Sequence, residues 1–456
     1  MAPLIGRLAA RGRPFLADAD ALRRRVADRH GASVLIACFT ALFAAMFLTN
    51  SYSTPRNAWL ALVLPAAILI GGPYWREAIR SSRILWAVLV YAVTLLLPVV
   101  LDPSGTLPAG GFPMASLQLA PSASFGAFTG AFLRNALFVL LFVTATGLLV
   151  ARGPARCEDA VLACAAVVAT SAVINVAVFV STLPTWHDLS VVRLIATRGT
   201  PSYTNSTNIS ATYALFLVGS VAVAAVGQVA PWKRVVAVVV AAGLLLGVAA
   251  TQSRSALAGG AAGLLVVLIV AGPVARWITL AVVVALVATV AVHPELQALV
   301  LSRGASDRPE VWSSYLDMLS WSPFLGFGAR ADLRIVLQNG MVLDQAHNLL
   351  LNALLRGGIL AFAALGFVMA AGVYWARAWR RHGGSAVPLS MIVAMITFGQ
   401  VDYALLITPP AWPWMTFWFP VGLCLGAEVW TRARRSGAPL DRPDTAPSCP
   451  VERVAG

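Results

Sequence analysis

Charge is scarce in this chain: Asp, Glu, Lys and Arg make up 11% of its 456 residues, while 59% are hydrophobic and the mean hydropathy is +0.79. A soluble domain carries roughly a quarter of its residues charged, so an ordinary soluble globular protein is excluded. Cysteine is scarce as well. Cys38, Cys157, Cys164, Cys424 and Cys449 fall in apolar runs, at run edges or in the C-terminal tail and show no metal-ligand spacing, so neither a disulfide nor a metal framework is implied. No Asp or Glu stands in the middle of an apolar run, Asp402 and Glu428 lying near run ends. Ion-coupled transport relies on intramembrane carboxylates, and their lack argues against it. No acidic cluster points to a divalent ion, and no internal repeat is visible.

What fills the chain instead is a succession of apolar runs near 33–50, 57–74, 84–101, 128–150, 159–183, 208–230, 235–252, 255–271, 277–292, 348–374, 386–407 and 412–429. Each is long enough to cross a hydrocarbon core about 30 Å thick as a helix, with its backbone hydrogen bonds satisfied internally. The fold class is therefore an all-α integral membrane protein of about twelve transmembrane helices. The linkers 75–83, 151–158, 231–234, 272–276 and 375–385 hold Arg or Lys, the N-terminal arm carries Arg23, Arg24 and Arg25, and the tail carries Arg432, Arg434 and Arg435. By the positive-inside rule these segments and both termini are cytoplasmic.

The organisation expected is an arm over 1–32, read as an uncleaved signal anchor, nine spans over 33–292, a long external loop over 293–347, three spans over 348–435, and a Pro-rich disordered tail over 436–456. The net charge of +14 follows from this topology and calls for no nucleic-acid partner.

That topology leaves 51–56, 102–127, 184–207, 252–254, 293–347 and 408–411 on the outer face. Arginine recurs there against the trend: Arg193 and Arg198 in the third of these segments, Arg254 in the fourth, and Arg303, Arg308, Arg330 and Arg334 in the long loop. Arginine held on that side calls for an anionic partner. Arg254, between two apolar runs, either snorkels into headgroups or reaches a buried anion. "RLIATRGTPSYTNSTNISATY", from Arg193, reads either as an ordinary loop or as part of a site, and its "NST" and "NIS" triplets match a glycosylation pattern common by chance.

In the long loop, "SDRPEVWSSYLDMLSW" reads as a helix with Asp307 as N-cap, Pro309 in the first turn, Glu310 at the reciprocal capping position, and Trp312, Tyr315, Leu316 and Leu319 as an apolar stripe able to lie on the membrane surface. "SPFLGFG" turns the chain, "ADLRIVLQ" offers a short second helix, and "NG" at 339–340 turns it back. The loop ends in "DQAHNLLLNALLRGG". If Asp344 caps the next helix, His347 sits at its third position, where the helix dipole disfavours a cation and a neutral imidazole could accept a proton. The alternative is an interfacial histidine satisfied by water or a backbone carbonyl.

"RGTPSYTNSTNISA", "TQSRSAL", "RPEVWSSYLDMLSWSPFLGFG" and "HNLLLNALLRGGI", in this order across roughly 193–358, resemble the bacterial O-antigen ligases and their polymerase relatives. The resemblance implies a multi-span glycosyltransferase of the bacterial inner membrane with its active site facing the periplasm. Its implied reaction transfers a glycan from undecaprenyl pyrophosphate to a hydroxyl of the lipid A-core oligosaccharide, without nucleotide, metal or other cofactor. Its histidine falls on His347 and its serine-arginine pair on Arg254. Its earlier external arginine falls on Arg198, or with a different gap on Arg193, because the Asn-Pro-Asn of the family reads "NSTN" here. Asn348, Arg308, Trp312 and Arg330 stand beside these as supporting candidates.

Chemistry agrees with this reading. A pyrophosphate leaving group gains negative charge as the glycosyl bond breaks, and planar guanidinium groups hold its oxygens bidentately where a metal often serves. A polymerase joining two lipid-linked glycans would use much the same parts, and a lipid-glycan flippase would also line a cavity with arginine.

Overall fold

The computed structural model describes residues 30–101 apart from 52, 124–183, 192–196, 206–273, 276–277, 308–400 apart from 332, 338, 339 and 344, and 406–436. Among the described residues eight helices are long and apolar enough to cross a membrane: α1 His30–Phe47, α2 Ser53–Ile70, α4 Arg83–Leu101, α5 Phe125–Ala151, α6 Pro154–Thr182, α7 Ser206–Val226, α8 Pro231–Thr251 and α11 Leu349–Arg381. Shorter helices are α3 Gly72–Ser81, α9 Arg254–Val270, α10 Arg308–Leu319, α12 Val387–Gly399 and α13 Phe419–Ser436, the last preceded by a π-helical turn, Trp414–Trp418. Two strands, β1 Ile335–Val336 and β2 Val342–Leu343, pair antiparallel. The chain is an all-α, multi-span membrane protein. Eleven of the twelve apolar runs fall on these helices, and the run 277–292 lies almost wholly outside the described residues, as do the arm before His30 and the tail after Ser436.

The helices start where the sequence supplies starters. Ser124, Ser253 and Asn348 cap α5, α9 and α11 through their side chains, and Pro154, Pro231 and Pro388 occupy first turns, where a missing N–H costs nothing. Without a hydrophobic drive between helices in lipid, packing rests on close backbone approach at small residues. A Cβ on Gly426 of α13 would lie 2.2 Å from the Gly147 carbonyl oxygen of α5. At the centre, Trp59 opens a π-helical turn in α2 and meets Trp414 edge to face at 5.4 Å, with Phe142 4.7 Å from Trp414.

Polar contacts gather the basic linkers at one end of the bundle. Arg152 Nη2 donates to the Ile70 carbonyl at 3.2 Å, Lys233 pairs with Asp159, and Gln228 Nε2 donates to the Gly383 carbonyl at 2.8 Å. Glu428, fully buried in α13, accepts from Ser82 Oγ at 2.8 Å and from the backbone N–H groups of Arg83 and Ile84 at 2.9 and 3.2 Å, so a carboxylate caps α4.

The opposite end is organised by an interruption in α11. Gly357 (φ −135°, ψ 15°) and Gly358 (φ 63°, ψ −162°) leave helical geometry, which frees backbone groups that hydrocarbon cannot satisfy. The long loop satisfies them. Phe327 N donates to the Leu355 carbonyl at 2.7 Å, Gly328 N to the Arg356 carbonyl at 2.8 Å, and Ile359 N to the Pro323 carbonyl at 3.0 Å. Arg356 Nη1 donates to the carbonyls of Ala329 and Ala331 at 3.1 Å each, and Ala329 N reaches the Leu95 carbonyl of α4 at 3.0 Å.

Two expectations for this loop are corrected. "ADLRIVLQ" does not form a helix: Leu333, Ile335 and Leu337 are buried while Val336 is 42% exposed, a period of two, and the chain reverses through Gly340 (φ 80°) into β2. β-branched residues before "NG" favour that hairpin. The helix α10 also turns a different face inward. Val311, Tyr315 and Met318 are buried, with Trp312 and Leu319 partly so, but Leu316 points outward. The face packs on the hairpin, Ala346 and Leu355 in a small core of its own. Tyr315 Oη seals it by donating to the Leu333 carbonyl at 2.6 Å. The proposed cap Asp307 lies outside the described residues.

Gly358 has a backbone conformation open essentially to glycine alone, and a Cβ there would lie 1.9 Å from the Phe324 carbonyl oxygen. Gly358→Ala should therefore expel 323–328 from the break, seen as faster proteolysis within that segment and a lower melting temperature in detergent. Gly366→Ala, on the same helix with open space around it, should leave both unchanged. Equal behaviour of the two variants would show that the docked segment does not depend on the break.

Candidate active site

His347 ends the long loop with φ 46°, in the left-handed region. A non-glycine residue adopts that region only when its surroundings hold it. Both flanks are held here. Trp312 Nε1 donates to the Ala346 carbonyl at 3.0 Å, and Ala346 is fully buried. On the other side Asn348 Oδ1 accepts from Leu351 N at 2.9 Å while Asn348 Nδ2 donates to the Gln400 carbonyl at 2.9 Å.

The cap of α11 is therefore Asn348 and not Asp344, which lies outside the described residues. A left-handed residue cannot be part of the helix, so His347 precedes the cap instead of occupying the third helical position. The argument from the dipole at that position does not apply to it.

Arg254 is the first residue of α9 and is exposed. The turn before it is tight: α8 ends at Thr251, Gln252 takes φ 50°, and Ser253 Oγ accepts from Ala256 N at 3.4 Å and pairs with Ser255 Oγ at 3.1 Å. The segment 192–196 lies along this turn. Leu194 N donates to the Ala250 carbonyl at 3.1 Å, Gln252 Nε2 to the Val192 carbonyl at 3.4 Å, and Arg193 Nε to the Thr251 carbonyl at 3.0 Å. Arg193 is thus fixed beside the turn that carries Arg254, whereas Arg198 lies outside the described residues.

A glycine seam brings the two parts together. A Cβ on Gly259 of α9 would lie 2.9 Å from the Ala394 carbonyl oxygen and 3.0 Å from Phe398 Cβ of α12, and one on Gly263 would lie 2.9 Å from the Ser390 carbonyl oxygen. The helices run antiparallel and almost backbone to backbone, so Arg254 is level with the end of α12 at about Gln400. Gln400 holds Asn348, and Asn348 follows His347. Of the supporting candidates, Trp312 reaches the residue beside His347, Arg308 lies one helical turn before Trp312 on the same side of α10, and Arg330 stands between the two carbonyls that Arg356 grips.

Sequence reasoning missed Arg356, Gln400 and the Thr251 carbonyl as parts of this framework. Only Arg356 left a trace, since Arg-Gly-Gly inside an apolar run marks a place where a helix can open. Chemically, the arrangement offers guanidinium groups for an anion at one turn and an imidazole at the start of a neighbouring helix.

Apolar helices closed at one end by a loop with its own core define a multi-pass membrane protein. A family model described as O-antigen ligase matches residues 237–366, a stretch that includes Arg254, the long loop, His347 and the break in α11. The chain is also 27% identical over 423 residues to an O-antigen ligase of Pseudomonas aeruginosa, an alignment covering 88% of this chain and the whole of that protein. The chain is thus similar to O-antigen ligases over this stretch and along most of its length.

The two functions of Asn348 can be separated. Asn348→Asp keeps the capping oxygen but loses the donor to Gln400, and Asn348→Ala loses both. An N-cap is worth about 1 kcal/mol, so the melting temperature should fall for Ala and stay close to wild type for Asp. Transfer activity should fall in both. Wild-type activity in Asn348→Asp would show that the tie to Gln400 does not orient His347.

Proposed function

We propose that the protein is an O-antigen ligase that transfers a glycan from undecaprenyl pyrophosphate to a hydroxyl of lipid A-core oligosaccharide at the periplasmic face of the bacterial inner membrane. The observation that carries the reading is the glycine seam, which sets the Arg193–Arg254 turn level with the Gln400 carbonyl that holds Asn348 next to His347. The similarity to O-antigen ligases and the gathering of the basic linkers at the other end of the bundle support it. In this reading the long loop and the candidate site face the periplasm, and the basic end faces the cytoplasm.

The acceptor hydroxyl approaches His347, which takes its proton as the acceptor oxygen bonds to the anomeric carbon of the glycan. The bond from that carbon to the pyrophosphate oxygen breaks, and its electron pair leaves with undecaprenyl pyrophosphate. Arg254 and Arg193, with Arg198 as a further candidate, bind the pyrophosphate oxygens and stabilise the charge they gain. Arg308, Trp312, Arg330 and Asn348 orient the loop around the acceptor. No nucleotide or metal takes part.

The test is reconstitution of the purified protein with lipid-linked glycan and either core lipid or a second lipid-linked glycan. Consumption of core lipid is expected, and consumption of the second glycan alone would make the protein a polymerase. His347→Ala should insert normally and lose about 10²- to 10⁴-fold in rate, the usual loss of a general base. Arg254→Lys should lose most activity because an ammonium lacks the planar fork, while the exposed Arg56 should tolerate the same change. Wild-type turnover in Arg254→Lys would reduce Arg254 to a snorkelling anchor. Turnover should also persist in excess EDTA, and its loss with rescue by one added metal would overturn the arginine mechanism.

A further inference from the structure

The basic end of the bundle holds a second feature with a shape and charge of its own. Arg83, at the start of α4, is twelve residues from Leu95, which contacts the docked loop, so about 18 Å of helix separates it from that loop. Helix α3 meets α4 there, with Tyr74 and Ala78 buried and Arg76, Ile79 and Arg80 exposed, the pattern of a helix lying in a membrane interface. Trp86 of α4 is fixed at the corner by donating its indole N–H to the Ile79 carbonyl at 3.0 Å. Between this corner and α11 runs an open groove of about 480 Å³. Arg80 and Arg83 stand at one end of it, and Trp86, Val90, Ala364 and Phe367 form its wall.

The groove is amphipathic along its length. Val90 lies seven residues beyond Arg83, so the wall turns from cationic to apolar within about 10 Å. Trp86, Val90 and Phe367 are each about half exposed, on the outside of a bundle that faces hydrocarbon. Neither the Arg80 nor the Arg83 guanidinium has an ion-pair or hydrogen-bond partner among the described residues. Two carboxylates lie close. Glu77, one turn back on α3, makes no ion pair with either arginine among the described residues. Glu428, buried behind Ser82, is already paired with Arg432 at 2.8 Å and occupied by the N–H groups of α4. Among the described residues the cationic end is therefore not neutralised.

We infer that this groove binds an anionic glycerophospholipid, with its phosphate between Arg80 and Arg83 and its glycerol and first methylenes along Trp86, Val90 and Phe367. An inorganic phosphate would leave the apolar wall uncovered, and a neutral lipid would make no use of the two arginines. Basic pockets between membrane helices bind lipid headgroups by this combination. The inference does not depend on the reaction proposed above, and its test reads lipid binding alone.

The experiment is native mass spectrometry of the full-length protein in detergent, titrated with phosphatidylglycerol or phosphatidylcholine. Wild type should retain phosphatidylglycerol with a preference of about thirtyfold, the weight of two basic side chains at an anionic lipid surface. R80Q/R83Q should lose that preference, and each single variant should lose part of it. R434Q/R435Q removes the same charge elsewhere on the basic end and should keep it. The proposal is overturned by an unchanged preference in R80Q/R83Q, by an equal loss in R434Q/R435Q, which would mean general surface charge, or by displacement of the lipid with equimolar inorganic phosphate.

Discussion

The architecture of the end that carries the long loop depends on how the break in α11 is filled. A helix interrupted in lipid exposes carbonyl and N–H groups with no water to receive them, and each costs several kcal/mol unsatisfied. Here the carbonyls of Leu355 and Arg356 and the N–H of Ile359 are met by the backbone of 323–328, so the long loop completes the bundle rather than hanging from it. Arg356 extends the same joint by holding Ala329 and Ala331. The hairpin and α10 then pack on that fixed strap, and the buried Leu355 joins their core. The position of His347 is the last link in this sequence of dependencies.

The two halves of the candidate site are built alike. Each is a short stretch between elements tied by hydrogen bonds to distant parts of the chain, and each contains a left-handed residue that is not glycine. Gln252 and His347 are the two such residues among the described ones; Gln252 lies two residues before Arg254, and His347 is itself the proposed proton acceptor. Backbone strain of about 1–3 kcal/mol persists only where the surroundings enforce it. The enforcing contacts are visible in both places: Leu194 and Arg193 on the carbonyls that end α8, and Trp312 and Asn348 on either side of the histidine.

Much of this was legible in the residues because membranes impose few solutions. Run length and arginine distribution gave the helical class, and the tight turn at 252–254 followed from two abutting apolar runs. The missed elements were those decided by tertiary partners. "ADLRIVLQ" has Leu333, Val336 and Leu337 at helical spacing, yet Val336 is outside and Ile335 inside because a small core accepts alternate residues. Asp344 and Asn348 are both good caps on paper, and the left-handed turn at His347 selects the second. Arg193 and Arg198 cannot be told apart by spacing, since what sets Arg193 apart is the Thr251 carbonyl, 58 positions away. The break at Gly357–Gly358 lies within a long apolar run in which only Arg-Gly-Gly hints at an opening, and the crossing backbone reveals it.

The glycine seam between α9 and α12 acts as a fulcrum. Gly259 is five residues from Arg254, about 7 Å along the axis, and Gly263 lies one turn deeper. With backbone touching backbone at those points, a small tilt of one helix against the other is magnified into a change of spacing between its end and its neighbour's. Misplacement of reacting groups by about 1 Å can cost about 100-fold in rate. Residues facing only other helices, deep in the bundle, thus set the tolerances of chemistry carried out at its edge, and bulk added at the pivot would be felt at the tip before it was felt in the fold.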